Sequence, residues 1–202
     1  MNQDYLYAME DVAESMASAG GVSSLVSLLA YVFSALAIYT IAQRRQIKNA
    51  WMAWVPVLNL WILGSISDQY RYVVKGEVKN KRKVLLGLQI AIVLCTCAAF
   101  AKVLSTVISL ATSGNYMDEM EILRQVFGSM ASFAPVVILS LVRLVFEIMA
   151  LYDVYTSCEP VNNVLYLVLS VIPAISQITR PLFLFLCRDK DEGMPPRREE
   201  NV

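Results

Sequence analysis

Arg143 and Glu147 are the two ionisable residues of a strongly apolar stretch that runs from about Ser129 to Tyr152. Four positions on a helix is one turn along one face, so the guanidinium and the carboxylate can pair. Charges are costly in such a segment and persist where they pair or where they line a path for an ion or solute. The spacing therefore admits a structural pair inside a helix bundle, and also an anion or proton site. Lys102 lies 18 residues beyond Val84, about 27 Å along a helix at 1.5 Å per residue. Its ammonium is expected to snorkel to the edge of a bilayer core about 30 Å thick. Arg180, between Thr179 and Pro181, is expected to pair with Asp153 or Glu159 or to meet a lipid headgroup.

The chain holds no histidine. That excludes Ser-His-Asp and Cys-His catalysis, His-ligated metals and His-based pH sensing. Cys95 and Cys97, two apart, face different sides of a helix, and Cys158 and Cys187 flank the last apolar block; all four read as small hydrophobes. The sequence contains no Gly-rich phosphate loop, zinc spacing or nucleophile elbow. No catalytic residue, cofactor or metal is expected, and the chain reads as non-enzymatic. The basic run Lys75, Lys79, Lys81, Arg82 and Lys83 is expected to attract anionic headgroups, at about 1 kcal/mol per residue. Nucleic acid is not an expected partner, since only Tyr70 and Tyr72 could stack on bases.

The elements that carry these residues follow from composition. Of 202 residues, 57% are hydrophobic and 17% charged, with mean hydropathy +0.53 and no net charge. Soluble domains run near 45–50% and about 25%, so the pattern is that of an all-α integral membrane bundle. Three blocks are long enough to span, 22–42, 84–112 and 130–152, given that a crossing takes about 20 residues. Two further blocks are broken by proline. The first, 50–66, holds Trp51, Trp54, Pro56, Asn59 and Trp61; the second, 164–187, holds Pro173 and Pro181.

Lysine and arginine placement orients the chain. The first 43 residues have none, whereas 44–83 holds nine against Asp68 and Glu77, and 113–129 holds three acids against Arg124. The N-terminus and 113–129 are thus expected outside, with 44–83 inside. The first span is expected to be a reverse signal-anchor rather than a cleaved signal peptide. Basic clusters flank 50–66 on both sides, so this segment is expected to re-enter or lie in the interface, a short span being the alternative. Its proline breaks the helix and its tryptophans suit the interface. The tail, 188–202, carries four basic residues and is expected inside. Amphipathic pieces are expected outside: Tyr5–Met16, and 113–129, where Met120, Leu123 and Phe127 share a face with Met117 and Met130 close to it.

The sequence also admits an internal repeat, the alternative being that any chain crossing a membrane repeatedly shows such a period. At an offset of 113, Tyr39 aligns with Tyr152 and Asn49 with Asn162, and each asparagine opens a proline-broken apolar stretch after a spanning helix. Broken helices in repeated halves build binding sites in transporters.

The run Asn49–Gly64, with its Trp, Pro and Asn, and the C-terminal run Leu184–Arg197 resemble a group of bacterial multi-pass membrane proteins of Gram-positive gut type. The activity of that group is uncharacterised. The resemblance implies a bacterial plasma membrane location and transfers no catalytic residue. The function expected is a scaffold or accessory subunit that binds lipids, other membrane proteins or itself. The alternative is a small transporter or channel with Arg143 and Glu147 near its path.

Cysteine labelling checks the threading. With the four native cysteines replaced, Asn2→Cys and Tyr116→Cys should react with an impermeant maleimide on intact cells, and Gln46→Cys and Val78→Cys should not. Labelling at 78 without labelling at 46 would show that 50–66 crosses completely.

Overall fold

The computed structural model describes residues 3–113, 119–173 and 175–195, with side chains outside 3–20, 22, 113 and 119. Among these residues there is no strand. Seven α-helices and one 3-10 turn follow in order: α1 Gln3–Arg44, the 3-10 turn Ala50–Trp54, α2 Asn59–Lys75, α3 Lys81–Ser113, α4 Glu119–Ala131, α5 Ala134–Cys158, α6 Asn163–Val171 and α7 Ser176–Cys187. Three stretches are long and apolar enough to cross a membrane, Ser23–Arg44, Lys81–Thr112 and Met120–Cys158. They match the expected spans to within a few residues, except that the third takes in α4. Leu25, Leu94, Phe100 and Ile138 stand on their outer surfaces, each more than half exposed, as lipid-facing side chains must.

α1 runs unbroken from Gln3, so the amphipathic piece expected at 5–16 is the first part of the same helix; its side chains lie outside the described residues. α4 carries Met120, Leu123, Phe127 and Met130 on one exposed stripe. Met117 lies outside the described residues. A turn at Ser132 and Phe133 separates α4 from α5, whose first turn takes Pro135, where its missing amide costs nothing.

Both proline-broken stretches leave the Arg44 end of the bundle, turn, and come back to it. The first leaves α1 through Asn49, which adopts the left-handed conformation at φ 62°, one that asparagine tolerates. It turns at Pro56 and returns as α2, where Gln69 Nε2 donates to the Arg45 carbonyl at 3.2 Å. The second rises as α6 and breaks at Pro173, and α7 then descends until the Arg188 carbonyl accepts from Arg44 Nη1 at 2.7 Å. At this break Thr179 Oγ1 donates to the Leu169 carbonyl at 2.7 Å, which satisfies one of the orphan acceptors of α6.

Helix partners are exchanged between the halves: α1 packs chiefly on α7, and α5 packs on α2 as well as on α3. The two elbows differ locally, because Asn162 has φ −105° and not the left-handed value of Asn49. The order and packing of the elements therefore repeat, while the backbone at the aligned asparagines does not.

The core gathers at the Arg44 end. α1 buries Ala35, Ala37, Ile38, Ile41 and Ala42, all from its last three turns, and α5 buries Ala150, Leu151, Val154, Tyr155 and Cys158. At the centre of this end Asp153 is 0% exposed. Its Oδ2 accepts from Ser67 Oγ at 2.5 Å, Arg71 Nε at 2.7 Å and Lys81 Nζ at 2.7 Å, tying α2, α3 and α5 together. The neighbouring Asp68 receives the first backbone amides of α3, Lys81 N at 3.0 Å and Arg82 N at 3.2 Å. Burial raises the Asp68 carboxyl above its ordinary value, and the amides and basic side chains of Lys81 and Arg82 pull the other way.

The residues after α7 also dock here. Asp191 pairs with Arg44 at 3.0 Å and Arg45 at 2.8 Å, and the amides of Glu192 and Gly193 donate to the carbonyls of Cys158 and Ser157. A Cβ on Gly193 would fall inside the Thr156 carbonyl oxygen. Lys190 binds Glu159 at 2.5 Å and, with Asn162 and Tyr166, holds the Glu159 carboxyl below its usual range.

The α2–α3 crossing depends on Gly64, where a Cβ would lie 2.6 Å from Arg82 Cα; at Gly87, mid-helix in α3, a Cβ would meet nothing within 4 Å. Gly64→Ala should therefore destabilise by about 1–3 kcal/mol, the range for overpacking. Gly87→Ala should be neutral or stabilising by up to about 1 kcal/mol. Thermal melts of the two variants in one detergent check both signs.

Candidate functional site

Above the packed end, the broken stretches stop short of the height that α1 and α5 reach. Their tips leave an open cavity of about 530 Å³, lined by residues of α1, the start of α2, α5, and the α6–α7 break. Both tips contribute, Pro56 with Asn59 from the first and Pro173 with Ser176 and Gln177 from the second. Pro181, inside α7, cannot give the amide that the Gln177 carbonyl would take four residues on. The cavity therefore borders backbone that no regular helix satisfies.

Glu147 is 3% exposed and stands at the wall. Its Oε2 lies 3.7 Å from Arg143 Nη2, and its Oε1 accepts from Arg180 Nη2 in a short contact. Arg143 Nη1 also donates to Gln89 Oε1 of α3 at 3.2 Å. The two arginine side chains retain about a third of their surface, 31% and 29%, where the Glu147 side chain retains 4%. All three charged residues line the cavity, the two arginines with more of their surface open than the carboxylate. Hydroxyls complete the lining: Tyr31 donates to the Trp54 carbonyl at 2.7 Å, and Ser170 shares a hydrogen bond with Tyr155 at 2.8 Å.

The residues singled out in the sequence fall into different places. Arg143 and Glu147 meet as their spacing allows, with Arg180 as a third member. Arg180 does not pair with Asp153 or Glu159; those carboxylates are taken by Arg71 and Lys81 and by Lys190. Of the broken-segment motif, Pro56 and Asn59 line the cavity. Asn59 also donates to the Ala53 carbonyl at 3.1 Å and so holds the turn. Trp51 and Trp54 are largely exposed on the outer face, and Trp61 lies under the Arg82 guanidinium at 5.5 Å.

The basic run is not a uniform headgroup patch, and Lys81 is a correction to it. Lys81 is 6% exposed, with its ammonium on Asp153, because a buried carboxylate must find cations within the protein. Lys79 pairs with Glu77 at 3.0 Å, and Lys75 lies 6.0 Å from the Tyr70 ring.

Sequence reasoning missed the Asp153 cluster, the Arg180 contact and the docked tail. One signal was available for the first. Asp153 ends an apolar helix with Met149, Ala150, Thr156 and Ser157 at the positions where a local cation would sit. Such an acid needs a distant partner.

No protein-family description, no curated protein and no solved structure matches this chain.

Glu147 compensates two arginines, so its removal alone is expected to be costly. Glu147→Leu should lose roughly 3 kcal/mol, the low end for breaking a buried pair, since both arginines keep some solvent. Adding Arg143→Leu should recover little, because Arg180 remains stranded. The triple change, with Arg180→Leu as well, should melt close to wild type, since apolar residues often replace buried ion clusters without loss. A double variant as stable as the triple would show that Arg180 is indifferent to Glu147.

Proposed function

We propose that this chain is a multi-pass membrane protein, of plasma-membrane type, that admits a small polar solute into the cavity between its two broken stretches. It would serve as a small carrier or solute-binding membrane protein. The observation that supports this over a scaffold role is the cavity. Two proline-broken tips, three charged side chains and several hydroxyls face one space at mid-height of helices suited to a bilayer. Irregular backbone at membrane depth is tolerated where it lines a water-filled cavity, and intramembrane charges mark solute pathways. A scaffold or accessory subunit needs a partner surface. The exposed apolar faces of α3 and α4 could provide one, but lipid covers such faces equally well and the cavity would have no purpose.

On this reading both broken stretches are re-entrant hairpins that start and end at the basic, cytoplasmic side. The cavity then opens toward the opposite side, where the N-terminus lies. The likeness of Asn49–Gly64 and Leu184–Arg197 to bacterial multi-pass proteins fits the same location. Exchanged packing between two similarly ordered halves is an arrangement known from transporters, where sites form at the repeat interface. No bond-breaking step is proposed: the lining presents binding groups, and the reading is non-enzymatic.

Water access tests the cavity directly. Ser27→Cys and Gln177→Cys, in a background without the native cysteines, should react with an impermeant methanethiosulfonate on right-side-out vesicles. Leu94→Cys, on the exposed face of α3, should stay unreactive. Silence at both cavity positions would mean that the space is filled by protein or lipid, and the carrier reading would fall.

A further inference from the structure

Two carboxylates of α5 each hold two cations, but only the Glu147 cluster faces an open space. The charge there does not close. Arg143 and Arg180 bring two positive charges and Glu147 one negative, and among the described residues no other charged side chain lines the cavity. One elementary charge in a low-dielectric wall is left to attract a counter-ion.

The geometry shows where that ion would sit. Glu147 is spread across both guanidiniums, close to Arg180 and only loosely held to Arg143 at 3.7 Å, while Arg143 gives Nη1 to the neutral Gln89. Both arginines line the cavity and keep 31% and 29% of their side-chain surface, where Glu147 keeps 4%. Planar guanidinium forks match two-oxygen anions. One surplus charge matches a singly charged group better than a dianionic phosphate ester. Around the charges the lining is apolar, Leu60, Leu144, Ile148 and Leu151, with hydroxyls from Tyr31 and Ser34. A volume of about 530 Å³ falls in the range of small-ligand sites.

We propose that Arg143 and Arg180 bind a singly charged oxyanion carried on a small, partly apolar body, with Glu147 as the resident counter-ion that holds both guanidiniums when the anion is away. This rests on the water-accessible cavity of the preceding section. Two sources offer the chemistry, the carboxylate of a free organic acid and the phosphodiester of a lipid headgroup.

The test uses the full chain with Gln177→Cys, the native cysteines replaced, in vesicles of digalactosyldiacylglycerol, whose headgroup has no phosphate. Benzoate is the probe, with benzyl alcohol as the uncharged control at matched ionic strength. At about ten times its Kd, benzoate leaves roughly one site in eleven free, so alkylation should slow about tenfold. Benzyl alcohol should have no effect. Arg143→Gln and Arg180→Gln should each abolish the protection. Should either arginine variant fail to fold, Glu147→Gln supplies the second measurement. It raises the site's surplus from one charge to two, so benzoate should raise its melting temperature by more than that of wild type.

Vesicles containing phosphatidylglycerol form the other arm. Protection by that lipid with none from benzoate assigns the oxyanion to a headgroup, and protection by benzoate assigns it to a free solute. Ready alkylation with no protection from either, or protection that survives both arginine changes, overturns the anion site and leaves the cavity standing. Absence of alkylation under every condition removes the cavity itself.

Discussion

The Asp153 carboxylate is the contact on which the rest of the molecule depends. It is shielded from solvent, and three donors converge on one of its oxygens: Ser67, Arg71 and Lys81. A bare carboxylate in such a place is prohibitively costly, and charge-assisted hydrogen bonds from two cations make it tolerable. The same bonds decide the path of the chain. α3 starts with Lys81, Arg82 and Lys83, three positive charges at the positive end of a helix dipole, which is unfavourable. Drawing the Lys81 side chain to Asp153 and seating the first amides on Asp68 offsets that, and it fixes where α3 begins relative to α2. Losing Asp153 would strand Arg71 and Lys81 together, so α2 and α3 would lose their common anchor on α5.

Because that anchor sits at one end, the molecule is packed at one end and open at the other. Small residues on α1, Ala35, Ala37 and Ala42, let its neighbours close in only along its last turns. Above them α1 and α5 continue, while the stretches between them turn back at Pro56 and Pro173. The cavity is a geometric consequence of two short segments placed between two long helices. Part of its polar lining, Asn59, Ser176 and Gln177, comes from the breaks, where a helical ladder cannot satisfy the backbone, and the rest from the bodies of α1, α5, α6 and α7.

The sequence was legible wherever the determining interaction was local. Hydropathy over about 20 residues marked three long helices, and Pro56 and Pro173 marked the breaks. The four-residue spacing of Arg143 and Glu147 was enough to anticipate their pairing. It was opaque where partners lie far apart in the chain. Arg180 is 33 residues from Glu147, Lys81 is 72 from Asp153, and Arg45 is 146 from Asp191. Charge composition alone could not distinguish Lys81, which turns inward, from Lys83, which remains exposed. The residues directly after α7 are clamped through Asp191 and Gly193, which charge composition does not announce, because the close approach to the Thr156 carbonyl admits only glycine.

The two carboxylates of α5 show what separates a structural ion cluster from a site. Glu147 and Asp153 are six residues apart, about a third of a turn in direction and 9 Å in height. Each holds two cations, but Arg71 at Asp153 also pairs with Glu77 at 3.2 Å, so a second carboxylate shares the charge there. At Asp153 the cluster is sealed by α2 and α3, so nothing can exchange with the carboxylate and its cations serve only to hold helices. At Glu147 two cations on one carboxylate are presented to open space by arginines that keep about a third of their surface. An anion arriving there meets donors already oriented by Gln89 and Glu147, and it need not break a close-packed core to reach them. The difference between holding the fold and binding a ligand lies in access, which the breaks at Pro56 and Pro173 supply to one cluster and withhold from the other.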